Sequence, residues 1–563
     1  MPLFTLVSRG YTAAAAAGAR EHAWPDWLRI LRLNWVSTAL TVIVLGGAVA
    51  RLLGGSWGLP LEFHPDEPVI VEGAIDMVKR HSFEPSFYFR PDHVEIQLSY
   101  LAYMAYAHLF HSSSPDTLYA SDPAPFILIS RTITACFGIA MIVVAYLIGK
   151  RFTPTIGVLM AFVVAFFPMY VDHSHLATPD VPLTLTLMVV ILGCMRYLNS
   201  PSWGNLLLAC LGVSVSIAIK YPGALGSIMI AITVIIRAVP DRAWSRLLVH
   251  GAGALAAVVG FLFAISPVLF TNYRVTVSTM MAQARGIPPL GSEGLGWTGN
   301  MGFYAETFPN TAGIILLLCF ALGVVWSVRL RLVQSIPLWL GAIYWVILSD
   351  IPLHFSRWAL PMYLTPLLIA PIGAYYSFRY IIDKGSARWL RWGAVGLGAV
   401  MATNLLAGSV AATASYLSQD TRTVGKEYFA AHGVDMTNTV SEGYTPLLPG
   451  SPRQIFSAFK VIDGRLMLNS KVAGSSRIRY VVLSSDIKGR FRTDPKYVSQ
   501  RNFYAILNKQ FPLLTTFDPV TRSGSTFSEI PNIWNELSYV RQLASGGLSG
   551  STIELYEIPV NRR

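Results

Sequence analysis

Stretches of about 18 or more largely apolar residues recur along this chain, and each is long enough to cross the hydrocarbon core of a bilayer. Within that core a segment must satisfy its own main-chain polar groups, as a helix does, or close into a barrel. Barrel strands would be shorter and would alternate apolar with polar residues. The sequence therefore predicts a polytopic α-helical membrane protein. Composition agrees, because 53% of the 563 residues are hydrophobic and only 13% are charged, roughly half the charged share of a soluble domain. Cys136, Cys194, Cys210 and Cys319 all fall inside apolar runs, a placement that suits small packed side chains rather than a disulfide framework or a zinc cluster.

The positions of the basic residues set the expected orientation. Eleven spans are expected, at 35–53, 125–149, 154–171, 180–198, 204–219, 222–238, 246–270, 310–328, 335–349, 357–378 and 391–413. This arrangement puts Lys150-Arg151, Arg237 to Arg246, Arg329 to Arg331 and Arg379 to Arg391 on the cytoplasmic side, as the positive-inside rule requires. It holds only if the shorter apolar stretch Ile96–Phe110 does not cross, so that stretch is read as an amphipathic helix lying in the outer interface. Residues 1–34, with Arg9, Arg20, Arg29 and Arg32, form a cytoplasmic segment with an interfacial helix around Trp24–Leu33 and no cleaved leader. The net charge of +12 is accounted for by these loops and by anionic lipid, with no nucleic acid implied. Residues 35–413 then form the transmembrane domain, and 414–563 an extracytoplasmic soluble α/β domain with short strand-like runs at Arg479–Leu483 and Ile553–Tyr556.

On the outer face this topology gathers a set of chemically able groups. The first loop, 54–122, carries Asp66-Glu67 and Arg90. The second carries His173 and His175 and ends at Asp180. Lys220-Tyr221 sits at a turn, and His354 and Arg357 stand where a later span begins. Two acids on separate loops with cations near the lipid boundary suit an anionic lipid-linked substrate. A carboxylate can take a proton from a hydroxyl, and Lys or Arg can hold a phosphate. Each residue also has a plainer reading. Asp66 and Asp180 each precede a proline and could cap helices, Lys220 and Arg357 could snorkel, and His173 and His175 lack the i, i+4 spacing of a helical metal pair. Arg131, several residues inside a span, suits an ion pair with an acid of a neighbouring helix.

The order of these motifs resembles the GT-C membrane glycosyltransferases, in particular the protein O-mannosyltransferase-like and lipid A aminoarabinose transferase branches. The residues that carry the resemblance are His64-Pro65-Asp66-Glu67 after the first span, Leu128-Ile129-Ser130-Arg131, His173 to Leu183, Lys220-Tyr221-Pro222-Gly223, Arg357-Trp358-Ala359-Leu360-Pro361 and Asp420-Thr421-Arg422. Trp358 stands where the family usually has Tyr. The resemblance implies a donor of the polyprenyl-phosphate sugar type and an acceptor that is a glycan, lipid or protein. It implies Asp66 as catalytic base, with Glu67 and Asp180 as further active-site acids. Lys220, Arg357 and Arg90 would bind the donor phosphate, and His173, His175, Tyr221 and His354 would line the acceptor or sugar site. No cofactor and no metal are expected. The implied setting is a bacterial inner or plasma membrane, with transfer on the extracytoplasmic side and inversion at the anomeric carbon. A transporter or flippase of lipid-linked glycans is the alternative, and a non-catalytic scaffold a third reading. Acids in outer loops rather than at mid-span favour surface chemistry over transport.

Overall fold

A computed structural model describes residues 26–61, 63–240, 242–285, 295–385, 387–446, 455–469, 478–492, 495–524 and 526–559. Arg9, Arg20, the Ala13–Ala17 run and the start of the expected interfacial helix lie outside the described residues. From Asp26 the chain is already helical and runs without a break into the first span as α1 (Asp26–Leu52).

Most expected spans are helices near their expected positions, but not all reach the length of a crossing. Among the described residues, six helices are long and apolar enough: α1 from Trp35, α4 (Ala124–Gly149), α6 (Asp180–Asn199), α8 (Gly226–Ala238, with the turn from Tyr221), α9 (Trp244–Ile265) and α14 (Arg388–Leu417). The helices α5 (Pro154–Phe166) and α7 (Trp203–Ile219) are shorter. The expected span 310–328 does not form as one helix. The chain instead makes α10 (Gly296–Ala312) and α11 (Ile314–Arg329), bent by 112°. Two residues account for the break: Pro309 sits in the last turn of α10, and Gly313 takes φ +85°, a conformation that glycine adopts without the usual side-chain penalty. Beyond it lie α12 (Leu340–Leu348) and α13 (Leu364–Asp383).

Helices meet where small residues let backbones approach, the usual device where lipid supplies no hydrophobic drive between helices. A Cβ on Gly373 of α13 would overlap the Cys319 carbonyl and the Gly323 nitrogen of α11, and one on Gly193 of α6 would press on the backbone of Ala209 in α7.

The first outer loop folds as α2 (Glu67–Lys79) and α3 (His93–Phe110). Ile70, Val71, Ala74, Ile75 and Met77 of α2 pack on Ile96 and Tyr103 of α3 and on Phe126 and Ile127 of α4. Unlike the amphipathic helix expected, α3 is apolar on most of its surface, and its few polar side chains near the start point inward. Glu95, Gln97 and Ser99 are buried, whereas Leu101, Met104, Leu109 and Phe110 are exposed. Such a helix offers its apolar surface to lipid and its few polar side chains to protein.

After α14 comes α15 (Thr421–Ala431) and a mixed sheet in the order β1 (Thr439–Ser441), β4 (Tyr480–Ser484), β6 (Ile553–Glu557), β5 (Leu513–Phe517). β1 and β4 are parallel and the other pairs antiparallel, with Val481 opposite Tyr556. A separate hairpin joins β2 (Phe459–Ile462) to β3 (Arg465–Leu468), and α16 (Val498–Gln510) packs its Phe503, Tyr504 and Leu507 into the same core. The expected α/β character is present. The tail is not an isolated soluble unit, however, because α17 (Glu529–Ala544) leaves the sheet and packs along α14, with Tyr539 and Leu543 against Ala411.

Candidate active site

Asp66 sits one residue before α2, with Pro68 in the first turn, yet its side chain makes no capping hydrogen bond. It faces two guanidinium groups instead. Its Oδ2 lies 2.6 Å from Arg357 Nη1 and 2.9 Å from Arg90 Nη1. Burial alone would raise the Asp66 pKa, but Arg357, then Arg90 and His64, outweigh it and hold the carboxyl well below the ordinary range. Asp66 is therefore ionised at any working pH.

Arg357 connects both acids named from the sequence. Its Nη1 reaches Asp66, and its Nε lies 4.0 Å from Asp180 Oδ2. Asp180 does not cap α6 through its side chain either. Its Oδ1 accepts from Lys220 Nζ at 2.8 Å, and the Lys220 ammonium also lies 5.4 Å from the Trp358 ring centre. Neither cation extends freely to the interface, since Lys220 is 5% exposed and the Arg357 side chain 16%. Trp358 thus forms one wall of the lysine site.

Arg90 bridges Asp66 to Asp92, donating from Nε to Asp92 Oδ2 at 2.8 Å. Asp92 is fully buried, and burial raises its pKa to about 6 despite the adjacent Arg90. The surrounding segment is held in place by side chains. His93 Nε2 contacts the Phe87 carbonyl, Tyr221 Oη donates to the Tyr88 carbonyl at 2.7 Å, and Thr279 Oγ1 donates to the same carbonyl. Tyr221 therefore positions the loop that carries Arg90, with its hydroxyl committed to that loop.

His64 lies in the same cluster. Its Nε2 is 2.9 Å from Arg357 Nη1, and its Nδ1 is 3.3 Å from the Asp66 main-chain nitrogen. Burial and then Arg357 lower its pKa to about 4, so the ring is neutral and accepts through one nitrogen only. The shorter contact, to a cation, takes that role.

Glu67 is placed differently from its neighbour. It is fully buried, and both its oxygens receive Arg131, at 2.7 Å from Nε and 2.8 Å from Nη2. The Ala177 main-chain N–H donates to it as well, at 3.1 Å. With its oxygens so engaged, Glu67 ties α2 to α4 and to the second loop. This placement lets Glu67 hold the loop that orients Asp66. Arg131 further donates to the carbonyls of Gly55 and Trp57, so one side chain pins both ends of the Asp66 loop.

The histidines separate in the same way. His173 is partly buried in the cluster, 3.9 Å from Asp172, and burial lowers its pKa. His175 turns away from it. Its ring nitrogens contact the carbonyls of Val171 and Leu53, each at 2.9 Å, and the ring stacks on Tyr416 at 4.2 Å. His175 thus staples the second loop to the end of the first span. His354 packs on Phe303, with ring centres 4.7 Å apart. Among the described residues, no three of His, Cys, Asp and Glu form a group able to hold a metal ion.

The sequence motifs include His64 without a role for it and do not name Asp92. They also leave the role of Arg422 open. Arg422 pairs with Asp420, donates to the Phe63 carbonyl at 3.1 Å and lies over the Phe63 ring at 4.1 Å. The tail thus grips the residue just before His64. The run Asp420-Thr421-Arg422 was the available signal, but its partner lies about 360 positions away.

Comparison with known proteins agrees with this architecture. Residues 128–270 match the family described as dolichyl-phosphate-mannose-protein mannosyltransferase. Among solved structures, the Archaeoglobus fulgidus oligosaccharyltransferase in its apo form superposes with a TM-score of 0.51 at 10% identity, covering 93% of this chain and 89% of that one. ArnT from Cupriavidus metallidurans bound to undecaprenyl phosphate gives 0.47 at 13% identity, covering 93% and 98%. No curated protein sequence matches the chain. The fold is of the GT-C type.

Proposed function

We propose that this protein transfers a sugar from a polyprenyl-phosphate-linked donor to an acceptor hydroxyl at the extracytoplasmic membrane face, with inversion and with Asp66 as base. The observation that carries this reading is the shared contact of Asp66 with Arg90 and Arg357, while Arg357 also faces Asp180 and its partner Lys220. A carboxylate able to accept a proton thus stands beside cations able to hold a phosphate. The partial family match and the GT-C fold support the same chemistry.

In the proposed step the acceptor hydroxyl gives its proton to Asp66, and its oxygen forms a bond to the anomeric carbon. The bond from that carbon to the phosphate oxygen breaks, and its electron pair leaves with the polyprenyl phosphate. Arg357 and Lys220 stabilise the charge that develops there. Asp180 fixes Lys220, Glu67 fixes the loop through Arg131, and Arg90 orients Asp66. The acceptor glycan, lipid or protein approaches beside His173.

The test incubates purified wild type and Asp66→Asn with a panel of radiolabelled polyprenyl-phosphate sugars and membrane extract. The expected result is transfer by wild type and a loss of about 100–10,000-fold in the variant, the range of general-base contributions, with donor binding retained. Equal transfer by both would remove Asp66 from the chemistry. Lipid movement across reconstituted bilayers without transfer would replace the reading with transport.

A further inference from the structure

We infer that α17 is immersed in the outer leaflet of the membrane, with Phe527, Ile530, Trp534 and Leu537 set against lipid acyl chains. The proposal rests on the membrane-spanning reading of α11 and α14 and not on the glycosyl-transfer reading.

Depth follows from hydrogen bonds to those spans. The main-chain N–H of Ile314 donates to the Phe527 carbonyl at 3.0 Å, and that of Ile315 to Glu529 Oε1. Asn532 Nδ2 donates to Asn404 Oδ1 at 2.7 Å, and Asn404 Nδ2 to the Ala312 carbonyl at 3.2 Å. The start of α17 is therefore level with the bend between α10 and α11. From Arg329 at the cytoplasmic end of α11 to that bend is about 24 Å at 1.5 Å per residue. A hydrocarbon core is about 30 Å thick, so the bend lies below the outer boundary. From Arg391 to Asn404 along α14 is about 20 Å by the same rise, which gives the same level. The helix then climbs outward beside α14 until Tyr539 meets Ser415 at 3.1 Å. Gly54, just past the first span, packs on Tyr416 at that height.

The surface chemistry fits that depth. Phe527, Ile530, Trp534 and Leu537 are 52%, 59%, 69% and 47% exposed and share one side of the segment. The charged residues Glu529 and Glu536 point inward, to the α11 N-terminus and to Arg522, which meets Glu536 at 2.7 Å. Arg541 stands near the outer end. Main chain at membrane depth must have its polar groups paired. At the deepest turn, the Phe527 carbonyl is taken by Ile314, and the Ser528 carbonyl accepts from the Asn532 N–H and from Thr526 Oγ1. The other edge of α17 closes an apolar cavity of about 490 Å³ against α1 and α14, lined by Val49, Leu53, Leu406, Val410, Val540 and Leu543 among others.

The test places a nitroxide on cysteines introduced one at a time at Ile530, Trp534 or Arg541 of the full chain, with Cys136 and the partly exposed Cys319 replaced by Ser and the buried Cys194 and Cys210 kept. The protein is reconstituted in phosphatidylethanolamine–phosphatidylglycerol bilayers. Collision with oxygen, which favours hydrocarbon, is compared with collision with an aqueous nickel chelate. Leu318 on α11, 56% exposed, serves as the lipid-depth reference, and Val461 at the β2–β3 hairpin as the aqueous one. Ile530 and Trp534 should resemble Leu318, with nickel access several-fold lower than at Val461 and rising again at Arg541. Nickel access at Ile530 and Trp534 equal to that at Val461 would overturn the proposal. Exclusion of both reagents would also overturn it, by showing a protein contact on this face.

Discussion

Asp66 and Glu67 are neighbours in sequence, but the structure gives them opposite signatures under mutation. The sharpest perturbation is Glu67→Gln set beside Arg131→Gln and the double variant. The Glu67–Arg131 pair is bidentate, with side-chain exposures of 0% and 1%. Breaking such a buried pair by removing one partner costs about 3–5 kcal/mol, because the other charge is left uncompensated. Each single variant should lose about that much stability. The double variant should lose clearly less than the sum, since no unpaired charge remains. Asp66→Asn should cost far less, because Arg90 keeps Asp92 and Arg357 keeps Asp180 nearby. Thermal unfolding in detergent, followed by fluorescence-detected chromatography, measures the stability ranking. Turnover per folded molecule, with a labelled donor, measures the chemistry. Glu67→Gln should keep most of its turnover per folded molecule, whereas Asp66→Asn should lose it. If Glu67→Gln folds with wild-type stability yet has no turnover, Glu67 acts on the substrate and its assignment as a loop anchor is wrong.

Further outcomes follow from the same geometry. Arg357→Ala should lower turnover by about 100–1,000-fold, the usual cost of losing one group that stabilises developing charge; a titration of donor concentration that shows wild-type rates would remove Arg357 from the phosphate site. Asp92, with its pKa raised to about 6 from about 3.9 in the unfolded chain, adds stability below pH 4 that is lost as the pH rises through 6. That loss amounts to about 3 kcal/mol, so Asp92→Asn should flatten the stability profile between pH 4 and 7, and an unchanged profile would contradict the assigned burial. Asp66 has the opposite sign: its lowered pKa favours folding above the unfolded value near 4, and that contribution fades only in stronger acid. Gly373→Ala should destabilise by about 1–3 kcal/mol or more, the cost of overpacking, since its Cβ would meet the α11 backbone; wild-type unfolding behaviour would show that α11 and α13 are further apart.

The positions of the helices and the acid-bearing loop were legible because both depend on local pattern. Apolar length shows a span, and Asp66-Glu67 after the first one shows where polar groups gather. Which acid does what was not legible, because roles depend on partners far away in sequence. Glu67 is held by Arg131, 64 positions on, and Asp66 by Arg357, nearly 300 on. The bend at Gly313 did leave a trace, Pro309 followed by Gly313 within an apolar run, which is breaker chemistry. Length alone made that run look like a single span. The tail misled in a similar way. Its strands near Tyr480 and Ile553 could be read from their runs, but the descent of α17 beside α14 is fixed by Asn532 meeting Asn404, a long-range pair that no local pattern encodes.

The charge balance of the cluster ties these placements to the proposed chemistry. Arg131 is matched by Glu67, and Arg422 by Asp420. What remains around Asp66 is Arg90, Arg357 and Lys220 against Asp66, Asp92 and Asp180, with His64 and His173 neutral. These charges balance, and Arg357 and Arg90 hold the Asp66 carboxyl well below its ordinary range. A donor phosphate entering beside Arg357 and Lys220 adds negative charge and competes for those cations. Each carboxylate left with less compensation then binds protons more tightly. On this reasoning Asp66 gains basicity only when donor is present. Arg90, anchored by Asp92, keeps it oriented meanwhile. In the proposed reaction an acceptor that met Asp66 before the donor would find its carboxylate still paired with Arg90 and Arg357, so these ion pairs would favour donor binding first.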